Sequence, residues 1–349
     1  MDEWIGAPKI YDRHILSIIN PSNPRQPYWA LLLSIAMTLF TFFSNRFRLT
    51  RFVLPILFLG VSINSWAAEV SLTFDDFDVS DKTLLNAEER NRKILKTLDS
   101  HHLKATLFVK AKNIETERGK TLLKEWDRKG HQIGNHTYSH LSYNSADVSF
   151  AQFTQDLLKA EILLQDMGHF QKLFRFPYLH EGNTREKIDE IRSFLRNHQY
   201  KIGHVTIDAS DWYIDGRMGQ KLQKNTKAEL GSYRDYFLSH IWDRSTFYNE
   251  LSKKVLGREV KHTLLLHYNL LNALFLEDLI DMFEKKGWKV ISSSAAFSDP
   301  VFQMESKIVP TGNSIIWALA KETGKYNSIL RDPGEDGDYE KEAMDKLGL

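Results

Sequence analysis

From Glu69 onward, short apolar runs alternate with longer segments whose apolar residues recur at helical spacing. This alternation is the strongest constraint on the fold, because strands that alternate with helices form a parallel sheet covered by those helices. About seven repeats favour a distorted (β/α) barrel over a doubly wound sheet, although periodicity alone does not separate the two. The predicted strands are residues 70–74, 105–109, 131–133, 173–176, 202–207, 263–267 and 288–291.

Between these strands, the apolar spacing predicts amphipathic helices. They cover residues 84–98, 120–126, 150–167, 184–197 and 271–286. Residues 213–261 are mostly polar and helical in pattern, and we interpret them as an insertion into the barrel. The chain is therefore divided into an N-terminal region (1–68), a barrel domain (69–298) and a C-terminal extension (299–349) that packs on the domain or trails from it.

Five polar clusters follow predicted strands, each at the end of an apolar run. The carboxyl ends of barrel strands meet at one rim, where the chemistry of such barrels gathers. We therefore expect these side chains to meet in one mouth. The clusters are Asp75-Asp76, His136, Arg175-Phe176-Pro177-Tyr178, Asp208 with Asp211-Trp212, and His267.

His136 and His140 are four residues apart, a spacing that places both imidazoles on one face of a helical turn. Gly134 and Asn135 precede them, so we expect the pair where a strand passes into a helix. Two neutral imidazoles held in this way bind a divalent cation, most often Zn²⁺. One carboxylate of the Asp75-Asp76 pair would complete a His₂Asp set that leaves positions open, and the other would be free to act as a base.

The composition excludes several classes of function. The chain has 349 residues, and 46 Lys and Arg against 45 Asp and Glu give a net charge of +1, which gives no indication of nucleic acid binding. It contains no cysteine, so disulfides, thiolate catalysis and cysteine metal sites are excluded.

The region before Glu69 resembles an export signal. A basic stretch precedes the apolar run 52–63, and the small residues Ser65 and Ala67 follow it, as before a cleavage site. An earlier apolar run covers residues 28–43, and both runs are shorter than the ~20 residues of a spanning helix. Translation from Met37, or a marginal membrane anchor at 28–43, would explain the internal position. We predict an exported protein, periplasmic or secreted, with membrane association through residues 28–63.

Taken together and in this order, the five clusters resemble the motifs of the NodB-type polysaccharide deacetylases, carbohydrate esterase family 4. Each motif alone is weak, but the ordered set is specific and extends from Glu69 to Ile291. The matching segments are Thr73-Phe74-Asp75-Asp76, His136-Thr137-Tyr138-Ser139-His140, Arg175-Phe176-Pro177-Tyr178, Asp208-Ala209-Ser210-Asp211-Trp212 and Leu265-Leu266-His267.

The resemblance implies a distorted barrel that hydrolyses N-acetyl groups on amino sugars with one divalent metal, most often Zn²⁺, with Co²⁺ and Ni²⁺ also suited to the ligands. By position, Asp76, His136 and His140 would be the metal ligands. Asp75 would be the general base, and His267 would protonate the departing amine.

The same resemblance assigns supporting roles to the remaining motif residues. They are Arg175, which would hold Asp75; Asp211, which would orient His267; Tyr178, whose backbone N–H would bind the oxyanion; Trp212 and Leu265, which would line the slot for the acetyl methyl; and Thr137, which would brace the histidine turn.

Three features lie outside the motifs. Phe77 stands where the family usually has a glycine, a departure that falls in the turn after the aspartate pair. His180 lies close enough to Tyr178 to reach the groove. The acidic stretch 332–338 lacks the spacing of a calcium loop, and we interpret it as a solvated turn.

The leading function is therefore a metal-dependent deacetylase that acts on an acetylated polysaccharide or oligosaccharide. Removal of O-acetyl groups, as from acetylxylan, by the same attack is one alternative. Hydrolysis of a small cyclic amide on the same barrel is another, and a non-catalytic glycan-binding protein is a third.

Overall fold

The computed structural model describes residues 68–332 and 334–349. The predicted signal or anchor runs, 28–43 and 52–63, lie outside the described residues. Within the part that is described, no helix combines the length and the apolar character needed to cross a membrane.

All strands of the sheet run parallel. Their order is β5-β4-β3-β2-β1-β6, and β7 pairs with the first half of β1. The strands are β1 (Glu69–Asp75), β2 (Thr106–Val109), β3 (Gln132–Asn135), β4 (Phe170–Phe174), β5 (Lys201–Ile202), β6 (Lys261–His267) and β7 (Lys289–Val290).

The two edges of this sheet approach each other, and the predicted distorted (β/α) barrel is confirmed. Beyond β5, Ile207 forms a parallel bridge with Leu264 of β6, so the segment after one edge strand pairs with the other edge strand. The predicted strand 202–207 is therefore wrong in its extent. Regular pairing ends at Ile202, and the backbone then crosses irregularly from β4 to β6, with Gly203 donating to Phe174 and Thr206 to Thr263.

Helices cover the sheet between consecutive strands, as the alternation predicted. They are α1 (Ala87–Ser100), α2 (Glu117–Arg128), α3 (Phe150–Leu164), α4 (Arg185–Asn197), α5 (Asp211–Lys224), α6 (Gly231–Leu256), α7 (Leu270–Lys285), α8 (Ser293–Ala296), α9 (Ile315–Thr323) and α10 (Gly337–Leu347). Side-chain caps fix several of their starts. Asn86 and Ser149 form capping boxes at α1 and α3, which satisfy backbone donors that the first turn leaves free.

The helical pattern of residues 213–261 corresponds to α5 and α6. The C-terminal segment packs against the irregular crossing between β5 and β6. Ser314 donates its hydroxyl to the carbonyl of Thr206 at 2.8 Å, and the Ile315 amide donates to Val205 at 2.8 Å. The C-terminal segment therefore reaches the strand ends at which the sequence motifs lie.

Phe108 on β2 fills the space beneath the rim. A Cβ atom on Gly203 would lie 2.4 Å from the Phe108 ring, so only glycine lets the crossing backbone approach the ring this closely. The Arg175 guanidinium also packs against Phe108. It lies 4.0 Å from the ring centroid, which is a favourable cation–π contact.

We expect Gly203→Ala to destabilise the fold by about 1–3 kcal/mol, because the added methyl group must displace Phe108. Gly216→Ala is the control, since Gly216 lies in α5 with no described atom within 4 Å of an added Cβ. Its replacement should stabilise the protein by ~0.5–1 kcal/mol through helix propensity. Urea unfolding of both variants measures the difference, and equal stabilities would contradict the close approach.

Candidate active site

A cavity of about 460 Å³ opens at the carboxyl ends of the strands. Eight of the ten predicted site residues line it, and Arg175 and Asp211 lie behind the lining, buried. The lining set is Asp75, Asp76, His136, His140, Tyr178, Leu179, His180, Asp208, Trp212, Leu265, His267, Asn313, Glu335 and Asp336.

Asp76, His136 and His140 offer three ligand atoms that all lie within 4.8 Å of one another. Asp76 Oδ1 is 3.1 Å from His140 Nε2 and 3.6 Å from His136 Nε2. Atoms that ligate one Zn²⁺ at ~2.1 Å with tetrahedral angles are roughly 3.4 Å apart. The spacing of these atoms therefore suits a single cation.

The hydrogen bond of His136 leaves the ligand atom of its imidazole free. His136 Nδ1 lies 2.8 Å from the carbonyl oxygen of Arg175, which only accepts, so Nδ1 carries the proton and Nε2 presents a lone pair. Burial lowers the pKa of His136 to about 4, which keeps the imidazole neutral. Asp76 Oδ1 is buried without a hydrogen-bond donor. A buried, orphaned carboxylate oxygen between two imidazoles is the donor set of a divalent metal, and these residues fit one.

The predicted helical turn at His136–His140 is wrong. Residues 136–140 form an irregular turn, and α3 begins only at Phe150. The two imidazoles converge because Thr137 and His140 adopt left-handed backbone angles, with φ of 62° and 68°. Thr137 also accepts a hydrogen bond from the His140 amide at 3.0 Å through its hydroxyl, which stabilises this turn.

Asp75 and Asp76 both face the cavity because β1 ends at Asp75. On a continuing strand, neighbours would point to opposite faces. Asp76 instead has a φ of 78° and Phe77 a φ of 50°. Phe77 thus adopts the left-handed conformation that a glycine takes readily, at a cost of ~1–2 kcal/mol. Its side chain is fully buried against Tyr268, with ring centroids 4.9 Å apart, and this packing offsets the strain.

Asp75 is held by a buried ion pair. Arg175 Nη1 donates to Asp75 Oδ1 at 2.8 Å and to the Thr73 hydroxyl at 2.8 Å, while its Nε donates to the Gly203 carbonyl. Both charged side chains are almost completely buried. Asp75 Oδ2 remains on the cavity side, 3.8 Å from His136 Nε2. The carboxylate of Asp75 is therefore fixed beside the candidate metal ligands, and its Oδ2 forms no described hydrogen bond with them.

His267 ends β6 and pairs with the buried Asp211. Its Nδ1 lies 2.7 Å from Asp211 Oδ1, and its backbone amide donates to Asp211 Oδ2. Asn269 and Asn272 also donate to Asp211 Oδ2, at 3.0 and 2.7 Å. Burial alone would lower the pKa of His267, but Asp211, with Asp76 and Asp75, raises it to about 10. The imidazolium is thus stabilised, with Nε2 left free.

The remaining motif residues form the walls of the cavity. Tyr178 and Trp212 are 60% and 46% exposed, which is unusual for rings of this size and typical of surfaces that bind a ligand. Tyr178 has a φ of 57° and packs edge-on against His140, at 4.6 Å between centroids. Leu265 of β6 lies between β1 and the crossing segment, and His180, whose position in the sequence allowed it to reach the groove, lines the cavity.

The sequence analysis missed four residues of the cavity: Leu179, which follows Tyr178, and Asn313, Glu335 and Asp336 of the C-terminal segment. Within residues 332–338, interpreted as a solvated turn, Asp332, Asp336 and Asp338 are exposed as expected, but the interpretation is wrong for Glu335, whose side chain is only 1% exposed. Arg244 of α6 donates to it at 2.8 Å. The high density of carboxylates is visible in the sequence. The pairing of Glu335 with Arg244, which is 91 residues away in the chain, is not.

Comparison with known proteins identifies a family to which part of the chain is similar. Residues 64–201 match the model of the polysaccharide deacetylase family, and this segment carries the first three of the five motifs. The match confirms the resemblance to the polysaccharide deacetylases that the motifs predicted.

Several similar proteins carry related names. The chain is 32% identical over 146 residues to a peptidoglycan-N-acetylglucosamine deacetylase of Bacillus cereus, which is 42% of this chain and 46% of that protein. It is 23% identical over 252 residues to a probable peptidoglycan-N-acetylglucosamine deacetylase of Arthroderma benhamiae, covering 70% of this chain and 48% of that one. The chain thus spans about half the length of these relatives.

A solved polysaccharide deacetylase structure from Bacillus cereus aligns with a TM-score of 0.46 and 19% identity, over 64% of this chain and 91% of the other. The peptidoglycan deacetylase PdaC from Bacillus subtilis aligns with a TM-score of 0.44 and 19% identity, over 66% and 90%.

We expect the purified protein to bind about one equivalent of a divalent metal, and His140→Ala to weaken its affinity more than ~100-fold through loss of a ligand. Equilibrium dialysis with elemental analysis measures both. His101→Ala is the control, because His101 also lies near two carboxylates, Glu277 and Asp281, but at a distant surface. Metal retained by His140→Ala, or lost from His101→Ala, would contradict the assignment.

We expect Asp211→Asn to lower the pKa of His267 by roughly 1–3 pH units, because an opposite charge in contact is removed while burial remains. The imidazolium then loses its proton at a lower pH. NMR titration of the metal-free protein measures this directly. Asn272→Ala removes a hydrogen bond to Asp211 but keeps its charge, and should leave the pKa closer to about 10. An unchanged pKa of His267 in Asp211→Asn would show that Asp211 does not determine the protonation of this histidine.

Proposed function

We propose that this chain is a metal-dependent hydrolase that removes acetyl groups from the N-acetylated amino sugars of a polysaccharide. The observation that carries the proposal is the grouping in one cavity of a free His₂Asp set, a carboxylate held apart from it and a stabilised imidazolium. Each of these parts has a distinct task in the hydrolysis of an unactivated amide.

Amide hydrolysis requires a nucleophile and a polarised carbonyl. Asp76, His136 and His140 would hold one divalent cation, with Zn²⁺ the best suited, which when bound polarises the acetyl carbonyl and lowers the pKa of water. Asp75 accepts the proton of the attacking water. The ion pair with Arg175 orients this carboxylate, and its second oxygen faces the cavity.

The leaving group is an amine, which departs poorly unless it is protonated. His267 supplies that proton from Nε2, since Nδ1 is engaged by Asp211. Asp211 stabilises the imidazolium before the transfer. The base and the acid thus differ in their partners: Asp75 contacts a cation, Arg175, and His267 contacts an anion, Asp211.

The negative charge that develops on the carbonyl oxygen needs a donor. The backbone N–H of Tyr178, at the left-handed turn after β4, would donate to that oxygen. Trp212 and Leu265 would enclose the acetyl methyl, because both line the cavity and offer apolar surface. A methyl-sized slot would favour acetyl over larger acyl groups.

The names of the similar proteins support an amino-sugar polymer as substrate. The principal alternative is removal of O-acetyl groups by the same attack, for which His267 would protonate an alcohol instead of an amine. Export, with the region before Glu69 as signal or anchor, is part of this proposal, because a polymeric glycan lies outside the cytoplasm.

We expect Asp75→Asn to reduce acetate release from N-acetylglucosamine oligosaccharides by ~10²–10⁴-fold, the usual loss when a general base is removed. Metal content should stay near one equivalent. Asp166→Asn, at an exposed aspartate far from the cavity, is the matched control.

Full activity in Asp75→Asn would refute the base assignment. Faster acetate release from acetylated xylan than from the amino-sugar oligosaccharides would favour the O-acetyl alternative. Oligosaccharide binding without acetate release under any divalent metal would indicate a binding protein.

A further inference from the structure

The C-terminal segment forms a wall of the cavity that the mechanism does not use. Asn313, Glu335 and Asp336 contribute to this wall, and Asp208 lies beside it. With Asp75 and Asp76, the cavity lining contains five carboxyl groups, and no Lys or Arg among the described residues that line it. A carboxylate of this lining that has no cationic partner would attract cationic ligands and repel anionic ones.

The wall is firmly held in place by buried charges. Glu335 accepts hydrogen bonds from Arg244 at 2.8 Å, Tyr248 at 3.3 Å and Arg331 at 2.8 Å. Arg331 also donates to Glu340 of α10. The charge of Glu335 is therefore satisfied inside the protein, and this residue fixes the loop rather than meeting the ligand.

Asp336 carries a charge that is not neutralised in this way. It is exposed and caps α10, where its Oδ1 accepts the Asp338 amide at 3.0 Å. Among the described residues, its carboxylate forms no ion pair with Lys or Arg. It therefore presents a net negative charge to whatever occupies the cavity.

Asp208 offers a second group for a ligand. It is 6% exposed, and that small exposure faces the cavity, while no described side chain forms a hydrogen bond with it. Burial, reinforced by Glu335, raises its pKa well above the usual range. Its described hydrogen bond comes from the Ala209 backbone N–H, so the carboxyl has further capacity to bond a polar group of a ligand.

We propose that Asp336 and Asp208 form a subsite for a sugar unit that carries a free, protonated amine, next to the unit that loses its acetyl group. The preferred substrate class would then be a partly deacetylated amino-sugar polymer. Glycans with a carboxylate on the neighbouring unit would be disfavoured. This inference rests on the proposed function for the neighbouring acetyl position, but its charge preference is testable by binding alone.

The test compares the dissociation constants of two tetrasaccharides by calorimetry. One is the fully deacetylated glucosamine tetramer, which is cationic, and the other is the neutral N-acetylglucosamine tetramer. In Asp336→Asn, the amide keeps an oxygen for the helix cap but removes the charge. We expect the Kd of the cationic tetramer, divided by the Kd of the neutral tetramer, to be about 3–10-fold higher in this variant than in the wild type. The difference should shrink at high salt, because salt screens the charge.

Asp338→Asn is the matched control, because Asp338 lies two residues further on, in the first turn of α10, and not on the cavity, and its ratio should match the wild type. An unchanged ratio in Asp336→Asn, or the same change in Asp338→Asn, would overturn the subsite. Acetate release is measured in parallel. A wild type that releases none from either a partly or a fully acetylated tetramer would refute the proposed function, while the binding ratio would still decide the subsite.

Discussion

The buried contact between Arg175 and Asp75 is the interaction on which the site depends. Arg175 reaches β1 through Asp75 and Thr73, the crossing segment through the Gly203 carbonyl, and His136 through its own carbonyl. One residue thus links elements that are distant in the sequence. Loss of either partner of a buried ion pair leaves an uncompensated charge and costs about 3–5 kcal/mol. The pair is therefore a structural requirement as well as a means of orienting the proposed base.

Strain in the backbone complements this contact. Several residues without glycine's freedom have positive φ at the rim, namely Asp76, Phe77, Thr137, His140 and Tyr178. Each costs roughly 1–2 kcal/mol, and such costs persist only where surrounding contacts determine the conformation. The buried Phe77 ring and the Thr137 hydroxyl supply such contacts. The strands therefore end in turns that aim side chains into one cavity, which straight strand ends would not do.

Much of this arrangement was predictable from the sequence, since apolar runs and the polar residues that follow them depend on local patterns. The errors arose where a distant contact decides the conformation. The spacing of His136 and His140 is helical, yet the turn is set by left-handed angles that spacing does not encode. Residues 202–207 are apolar enough for a strand, but their pairing changes from β4 to β6 after Ile202. The apolar periodicity of a segment does not identify the strand with which it pairs, so it cannot indicate such a change.

The C-terminal segment extends the same reasoning to specificity. A loop rich in carboxylates is normally solvated. Glu335 is buried because it forms ion pairs with Arg244 of α6 and with Arg331, four residues before it in the chain. Because α6 belongs to the region between the fourth and fifth motifs, this region and the tail determine one wall together. The strand ends carry the residues that we propose for the chemical step, whereas α6 and the tail carry the charge that we propose the substrate meets. The two groups are separate in their hydrogen bonding, since neither Glu335 nor Asp336 contacts the Asp75–Arg175 pair through any described hydrogen bond.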